Sequence, residues 1–151
     1  MRYRLRRSAA FRLEDSRGCR EVDVPVSRVR ILVADDYKPW RIHARKLLQE
    51  QLDCRISEAC DGMEAVQKAT LLRPDIVLLD ISMPTMNGIE AAERIQQATP
   101  GSRVIFLTQN TDSEIMSAAL NAGAKGYVLK ANAATELLPV IAAALPDRSP
   151  V

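Results

Sequence analysis

Three aspartates, a threonine and a lysine each stand at the end of a short apolar run. Asp35 and Asp36 follow "VRILVA", Asp80 closes "DIVLLD", Thr108 closes "RVIFLT" and Lys130 closes "GYVLK". Singly, each has an ordinary explanation: a terminal Asp often caps a helix, Thr favours strands, and Lys often ends a strand in solvent. Jointly, they describe a site if the runs lie side by side. Three carboxylates within ~4 Å of one another would repel by about 4 kcal/mol per pair at an effective dielectric of 20, so the cluster requires cations. Lys130 supplies one. An all-oxygen donor set with no His or Cys beside it selects Mg2+ (or Mn2+) over zinc as the other. A carboxylate beside an open divalent ion, an ammonium and a hydroxyl is equipped to attack a phosphoryl group, which makes Asp80 the nucleophile and an aspartyl phosphate the product.

Such a site exists only if the chain brings the runs to one edge. From Val29 onward the apolar runs 29–34, 54–59, 75–80, 103–108 and 126–130 have strand length and aliphatic or β-branched composition. Between them, Trp40, Ala44, Leu47 and Leu48 fall on one helical face, as do Ala65, Val66, Ala69 and Leu72. Asp61-x-x-Glu64, Asn87-x-x-Glu90 and Thr111-x-x-Glu114 each place a capping oxygen three residues before a carboxylate, and Gly123 suits a left-handed stop for the fourth helix. The last helix, about 133–145, contains Pro139, which should kink it or cost about 3 kcal/mol. Strict alternation with short connections predicts an α/β fold: an open, doubly wound parallel sheet with helices on both faces, too few units for a closed barrel. Ligands of such sheets bind outside the carboxyl ends of the strands, where the five polar residues stand.

The chain has 151 residues, 47% hydrophobic and 26% charged, the profile of one globular domain able to bury its own core. No apolar run approaches the ~20 residues that span a bilayer, and the first residues carry Arg without a following apolar segment, so the reading is a cytoplasmic protein without membrane attachment. Cys19, Cys54 and Cys60 read as reduced thiols, since 54 and 60 on one extended strand would lie about 20 Å apart. Residues 1–28 hold eight Arg against four acids, and the rest holds 13 basic and 15 acidic residues. The mild overall basicity of +2 therefore belongs to the N-terminus. The expected organisation is a disordered Arg-rich extension over 1–28, one domain over 29–145 and a short tail over 146–151.

The phrases "ILVADD", "DIVLLDISMPTMNGIEAAERI", "VIFLT" and "NAGAKGYVLK" resemble the receiver domain of two-component response regulators over about 29–145. "MNGIEAAERI" and "AGAKGYVLK" are similar to receivers of the LuxR/FixJ-type subfamily, which usually carries a C-terminal helix-turn-helix. The resemblance implies a flavodoxin-like (βα)5 fold with strand order 2-1-3-4-5. Asp80 would be the phosphoacceptor, Asp36 a direct Mg2+ ligand, and Asp35 a ligand through water. The backbone carbonyl of Ser82 would complete the metal site. Lys130 would pair with the phosphoryl group, Thr108 would move to hydrogen-bond it, and the Tyr127 ring would follow Thr108. The implied partners are a sensor histidine kinase or phosphotransfer protein, with small acyl phosphates as alternative donors. The output surface would be about 111–145, a candidate homodimer contact, and the implied process is phosphorelay signal transduction in transcription regulation.

The chain also departs from the pattern. Gln109 stands where receivers commonly have a small residue and would crowd the phosphoryl site; Ala131 replaces a frequent Pro. His43 reads as a helix-surface residue, and Trp40 as a core cap beside Leu47 or a kinase contact. After Leu145 only "PDRSPV" remains, so these residues are not expected to bind nucleic acid themselves. Two other functions compete with the switch. An aspartate-based Mg2+ phosphatase would want a second carboxylate two residues after Asp80, where Ser82 stands. A receiver-like module that binds partners without phosphorylation needs none of the five residues. The expectation is a non-enzymatic switch that catalyses only its own modification.

Overall fold

The structure, a computed structural model, describes residues 8–15, 18–25 and 28–145. Within the N-terminal extension, β1 (Ser8–Asp15) and β2 (Gly18–Pro25) pair antiparallel as a two-stranded sheet of their own. Residues 1–7 and the tail expected over 146–151 lie outside the described residues. The remaining elements alternate strictly: β3 (Val29–Ala34), α1 (Lys38–Gln51), β4 (Cys54–Ala59), α2 (Gly62–Leu72), β5 (Ile76–Leu79), α3 (Gly88–Ala98), β6 (Arg103–Thr108), α4 (Ser113–Asn121), β7 (Gly126–Leu129) and α5 (Ala133–Ala144). All pairings among β3 to β7 are parallel, in the order β4-β3-β5-β6-β7, which is 2-1-3-4-5 counted within the sheet. No described helix is long and apolar enough to cross a membrane.

The continuous apolar runs are explained by two covered faces. Ile31, Val33, Ile76, Leu78, Ile105 and Leu107 pack with Leu48 of α1 and Leu137 and Ile141 of α5. Their neighbours Leu32, Ala34, Val77, Leu79, Val104 and Phe106 pack with Ala65 and Ala69 of α2, Ala91 and Ile95 of α3 and Ala119 of α4. Each strand thus sends alternate side chains into different layers. Leu72 departs from the predicted face and is exposed, because α2 ends there: Arg73 turns left-handed and the Leu72 carbonyl accepts from Arg30 at 2.7 Å.

Two of the three predicted caps hold, with Asp61 accepting from the Glu64 N–H at 2.7 Å and Asn87 from that of Glu90 at 2.9 Å. The third is corrected. Asp112, not Thr111, caps α4, accepting from the Glu114 N–H at 2.8 Å, while the Asn110 side chain holds the Asp112 N–H at 2.9 Å. Gly123, just past the end of α4, has φ of 97°, where a side chain would be strained. The helix α5 runs through the exposed Pro139 without interruption.

Cys54 and Cys60 are free thiols in different surroundings. Burial, aided by Asp53, pushes the Cys54 thiol up to about 11. Cys60 is exposed, and its bond to Glu64 at 3.2 Å favours the protonated form. Iodoacetamide at neutral pH should modify Cys60 in the native protein and Cys54 only after denaturation. Peptide mapping that found Cys54 labelled as fast as Cys60 in the folded state would contradict this packing.

Candidate functional site

Strand register assembles the site. Ala34 lies opposite both Ala59 and Leu79, so the residues that follow, Asp35 and Asp80, emerge side by side at the carboxyl edge. Their backbones carry the ladder one step further: Asp35 N–H donates to Ala59 O and Asp80 N–H to Ala34 O, both at 3.0 Å. On the other side Thr108 lies opposite Leu129, which brings Lys130 to the same edge.

Lys130 Nζ sits 2.6 Å from Asp35 Oδ2 and 3.2 Å from Asp80 Oδ2. The other oxygen of each carboxylate is held by backbone: Asp35 Oδ1 accepts from Tyr37 N–H at 2.8 Å, and Asp80 Oδ1 from Ile81 N–H at 2.7 Å. Both carboxylates are therefore oriented before any ligand arrives. Asp36 is exposed, yet a carboxylate oxygen of Asp35, Asp36 and Asp80 can be chosen so that all three lie within 4.8 Å of one another. Burial pushes the Asp35 carboxyl above its ordinary value and Asp80 adds to this, while the Lys130 contact and the Tyr37 N–H pull it back. Among the described residues Asp35 Oδ2 accepts no well-aligned hydrogen bond; its charge is met by Lys130.

Three carboxylates and one ammonium leave an excess of negative charge in a partly desolvated corner, and the donors are all oxygen. The group fits a small hard divalent cation such as Mg2+.

Thr108 and Tyr127 stand at the same edge but meet elsewhere. The Thr108 hydroxyl, buried, accepts from Asn110 N–H at 3.2 Å, and the Tyr127 hydroxyl donates to Asn110 O at 2.7 Å. The Tyr127 ring lies 6.2 Å from that of Phe106. Burial raises the phenol above its usual range, with Asp80 and Asp112 adding to the effect. Ser82 and Gln109 are exposed in the loops after β5 and β6. His43 is exposed on α1, its ring 5.1 Å from that of Trp40.

Contacts made by Arg41, Arg45, Trp40 and Gly88 at the site are not legible in the sequence. Arg41 donates to the Asp35 carbonyl at 2.7 Å and to Glu58 at 3.2 Å, tying α1 and β4 to the loop that carries the acids. Arg45 bonds the same carboxylate at 2.8 Å and is the main cause holding Glu58 below its usual range. Trp40 presents its ring to Lys130 Nζ at 5.1 Å from the centroid. Gly88, opening α3, lies so close to the Asp80 backbone that a Cβ there would fall 2.0 Å from Asp80 O. Among the described residues Cys60, Asp61 and Glu64 form a second acidic group, but Asp61 is spent on its cap and Glu64 on Lys68 at 2.9 Å.

Known proteins are similar to this chain in sequence and in fold. The model of the response regulator receiver domain family matches residues 31–142. Transcriptional regulatory protein LnrK of Bacillus subtilis (strain 168) is 40% identical over 115 residues, 75% of this chain and 52% of LnrK. Protein CcdB of the same organism is 37% identical over 112 residues, 74% of this chain and 93% of CcdB. The crystal structure of a LuxR-family two-component response regulator from Aurantimonas sp. SI85-9A1 superposes with a TM-score of 0.73 at 34% identity, covering 78% of this chain and 84% of that one. The chain spans about half the length of the transcriptional regulators it matches. Matched along three quarters of its length in sequence and in fold, with the acids, threonine and lysine on one sheet edge, this chain belongs to the response regulator receiver domain family.

Proposed function

We propose that this chain is a phosphorylation-dependent switch of a two-component phosphorelay, with Asp80 as the phosphoacceptor. The observation that carries the reading is the single ammonium of Lys130 held between the carboxylates of Asp35 and Asp80, with Asp36 beside them. Asp80 is fixed through Oδ1 by the Ile81 N–H and turns Oδ2 toward Lys130. One carboxylate oxygen of Asp80 attacks phosphorus; the P–N bond to a kinase histidine breaks, or the P–O bond of an acyl phosphate. The bonding pair leaves with the donor nitrogen or carboxylate, and the new P–O bond makes the aspartyl phosphate. Lys130 offsets charge on the transferred group, and Thr108 exchanges its bond from Asn110 for one to a phosphoryl oxygen. Asp35, Asp36, Asp80 and the Ser82 carbonyl would hold Mg2+, which when bound supplies further positive charge to the transferring group.

The partner on the donor side is a sensor histidine kinase or phosphotransfer protein. The readout is the surface of about 111–145, joined to the site through Thr108, Asn110 and Tyr127. It is also the candidate homodimer contact, and the process served is transcription regulation. Reversing a 1:99 equilibrium of that surface to 99:1 takes about 5.5 kcal/mol of differential stabilisation.

Incubation with Mg2+ and acetyl phosphate should add one phosphoryl group, seen by intact mass as acid-stable and base-labile, and Asp80→Asn should abolish it. An adduct that survives the substitution would place the acceptor elsewhere. Rapid turnover of many phosphoesters would favour a phosphatase instead, and no adduct even with a cognate kinase would leave a passive binding module.

A further inference from the structure

We infer that Trp40 is a positioning residue for Lys130, its indole face holding the ammonium against the two carboxylates; this rests on the reading of Asp80 as phosphoacceptor. Lys130 reaches the site from a short 3-10 turn, Lys130–Asn132, at the end of a four-residue strand. That turn alone does not steer a flexible four-carbon stem. An ammonium has three N–H bonds, and the two carboxylate contacts at 2.6 and 3.2 Å leave one side of it without an acidic partner. The Trp40 ring centroid lies 5.1 Å from Nζ, inside the ~6 Å reach of a cation–π contact.

Trp40 is half-buried. It packs against the core layer of Ala44 and Leu48, and the His43 ring stands 5.1 Å away. Its indole N–H is buried and has no hydrogen-bond partner among the described residues. An unpaired buried donor is a cost that Phe or Leu would avoid while filling the same layer, so the N–H does not explain an indole here. The face toward Lys130 does, because the indole is the strongest of the aromatic rings for a cation. The consequence is a Lys130 already aimed at the place where negative charge gathers during transfer.

The chain has one tryptophan, so its emission reports this contact directly. Lys130→Met should change the intensity or wavelength of Trp40 emission in the metal-free protein. Trp40→Leu should slow phosphorylation of Asp80 by acetyl phosphate about five- to tenfold, whereas Trp40→Phe, which keeps a ring face, should stay within about threefold of the parent. Circular dichroism and thermal melts would restrict the comparison to folded variants. Unchanged emission in Lys130→Met overturns the contact. Equal rates for the parent and Trp40→Leu, or equal slowing by Leu and Phe, overturn the role of the ring face. Failure of the phosphoacceptor reading looks different, since the parent itself would take no phosphoryl group while the emission measurement still decides the contact.

Discussion

Lys130→Met should destabilise the metal-free protein by about 3 kcal/mol, and Mg2+ should recover much of that loss. The reason lies in the imbalance of the site. In the parent, one ammonium faces the buried carboxylates of Asp35 and Asp80, with Asp36 near them. Removing one partner of a buried ionic group costs about 3–5 kcal/mol, because the remaining charge stays desolvated without compensation. Here two carboxylates would be left facing each other, and Asp35 is already pushed above its ordinary pKa by burial. A divalent cation held by the three acids would replace the missing charge, so the deficit should shrink as Mg2+ is added. Urea denaturation of parent and variant, each in chelator and in Mg2+, measures all four values. A loss below about 1 kcal/mol in chelator would mean that solvent already screens the acids. A deficit that Mg2+ leaves untouched would mean that the acids do not hold the ion.

Gly88→Ala is the second large effect, and it acts on backbone. A Cβ on Gly88 would lie 2.0 Å from Asp80 O, 2.8 Å from Asp80 C and 2.8 Å from Ile81 Cα. No side chain can swing away to relieve this. Either the start of α3 retreats, breaking the bond from Gly88 N–H to Ile81 O at 2.8 Å, or the Asp80–Ile81 peptide moves. The second option turns the N–H that fixes Asp80 Oδ1. Overpacking of this kind costs about 1–3 kcal/mol or more, and the gain of up to ~1 kcal/mol in helix propensity offsets only part of it. Gly88→Ala should therefore lose about 2 kcal/mol of stability and accept phosphoryl groups much more slowly. Gly101→Ala is the control, because nothing lies within 4 Å of its Cβ. Equal melting temperatures and phosphorylation rates for the two variants would refute the close approach.

Much of the edge where the polar residues gather is legible in the sequence, because buried parallel strands leave a simple trace. A run such as Ile76–Leu79 is apolar on both faces, and a carboxylate immediately after it must stand outside the sheet edge. The strand-end placement of Asp35, Asp80, Thr108 and Lys130 is legible in this way. The helix starts at Asp61 and Asn87 were legible for a similar reason, since cap and bonded N–H lie three residues apart. The fourth helix shows the limit of local grammar. Thr111 and Asp112 are both good caps, and the structure chooses Asp112, with the Asn110 side chain bonded to the Asp112 N–H.

What the amino-acid order determined by itself was the alternation of elements, the parallel sheet and the polar residues that close four of its five strands. These are local properties, set by side-chain period, capping distance and the length of each apolar run. Only the tertiary structure decided which groups touch. The guanidinium of Arg41 on the Asp35 carbonyl, the indole of Trp40 over Lys130 and the bare Cα of Gly88 against Asp80 each join different elements. Nothing in the spacing of those residues encodes the contact, because it depends on how α1 and α3 pack against the sheet rather than on position along the chain.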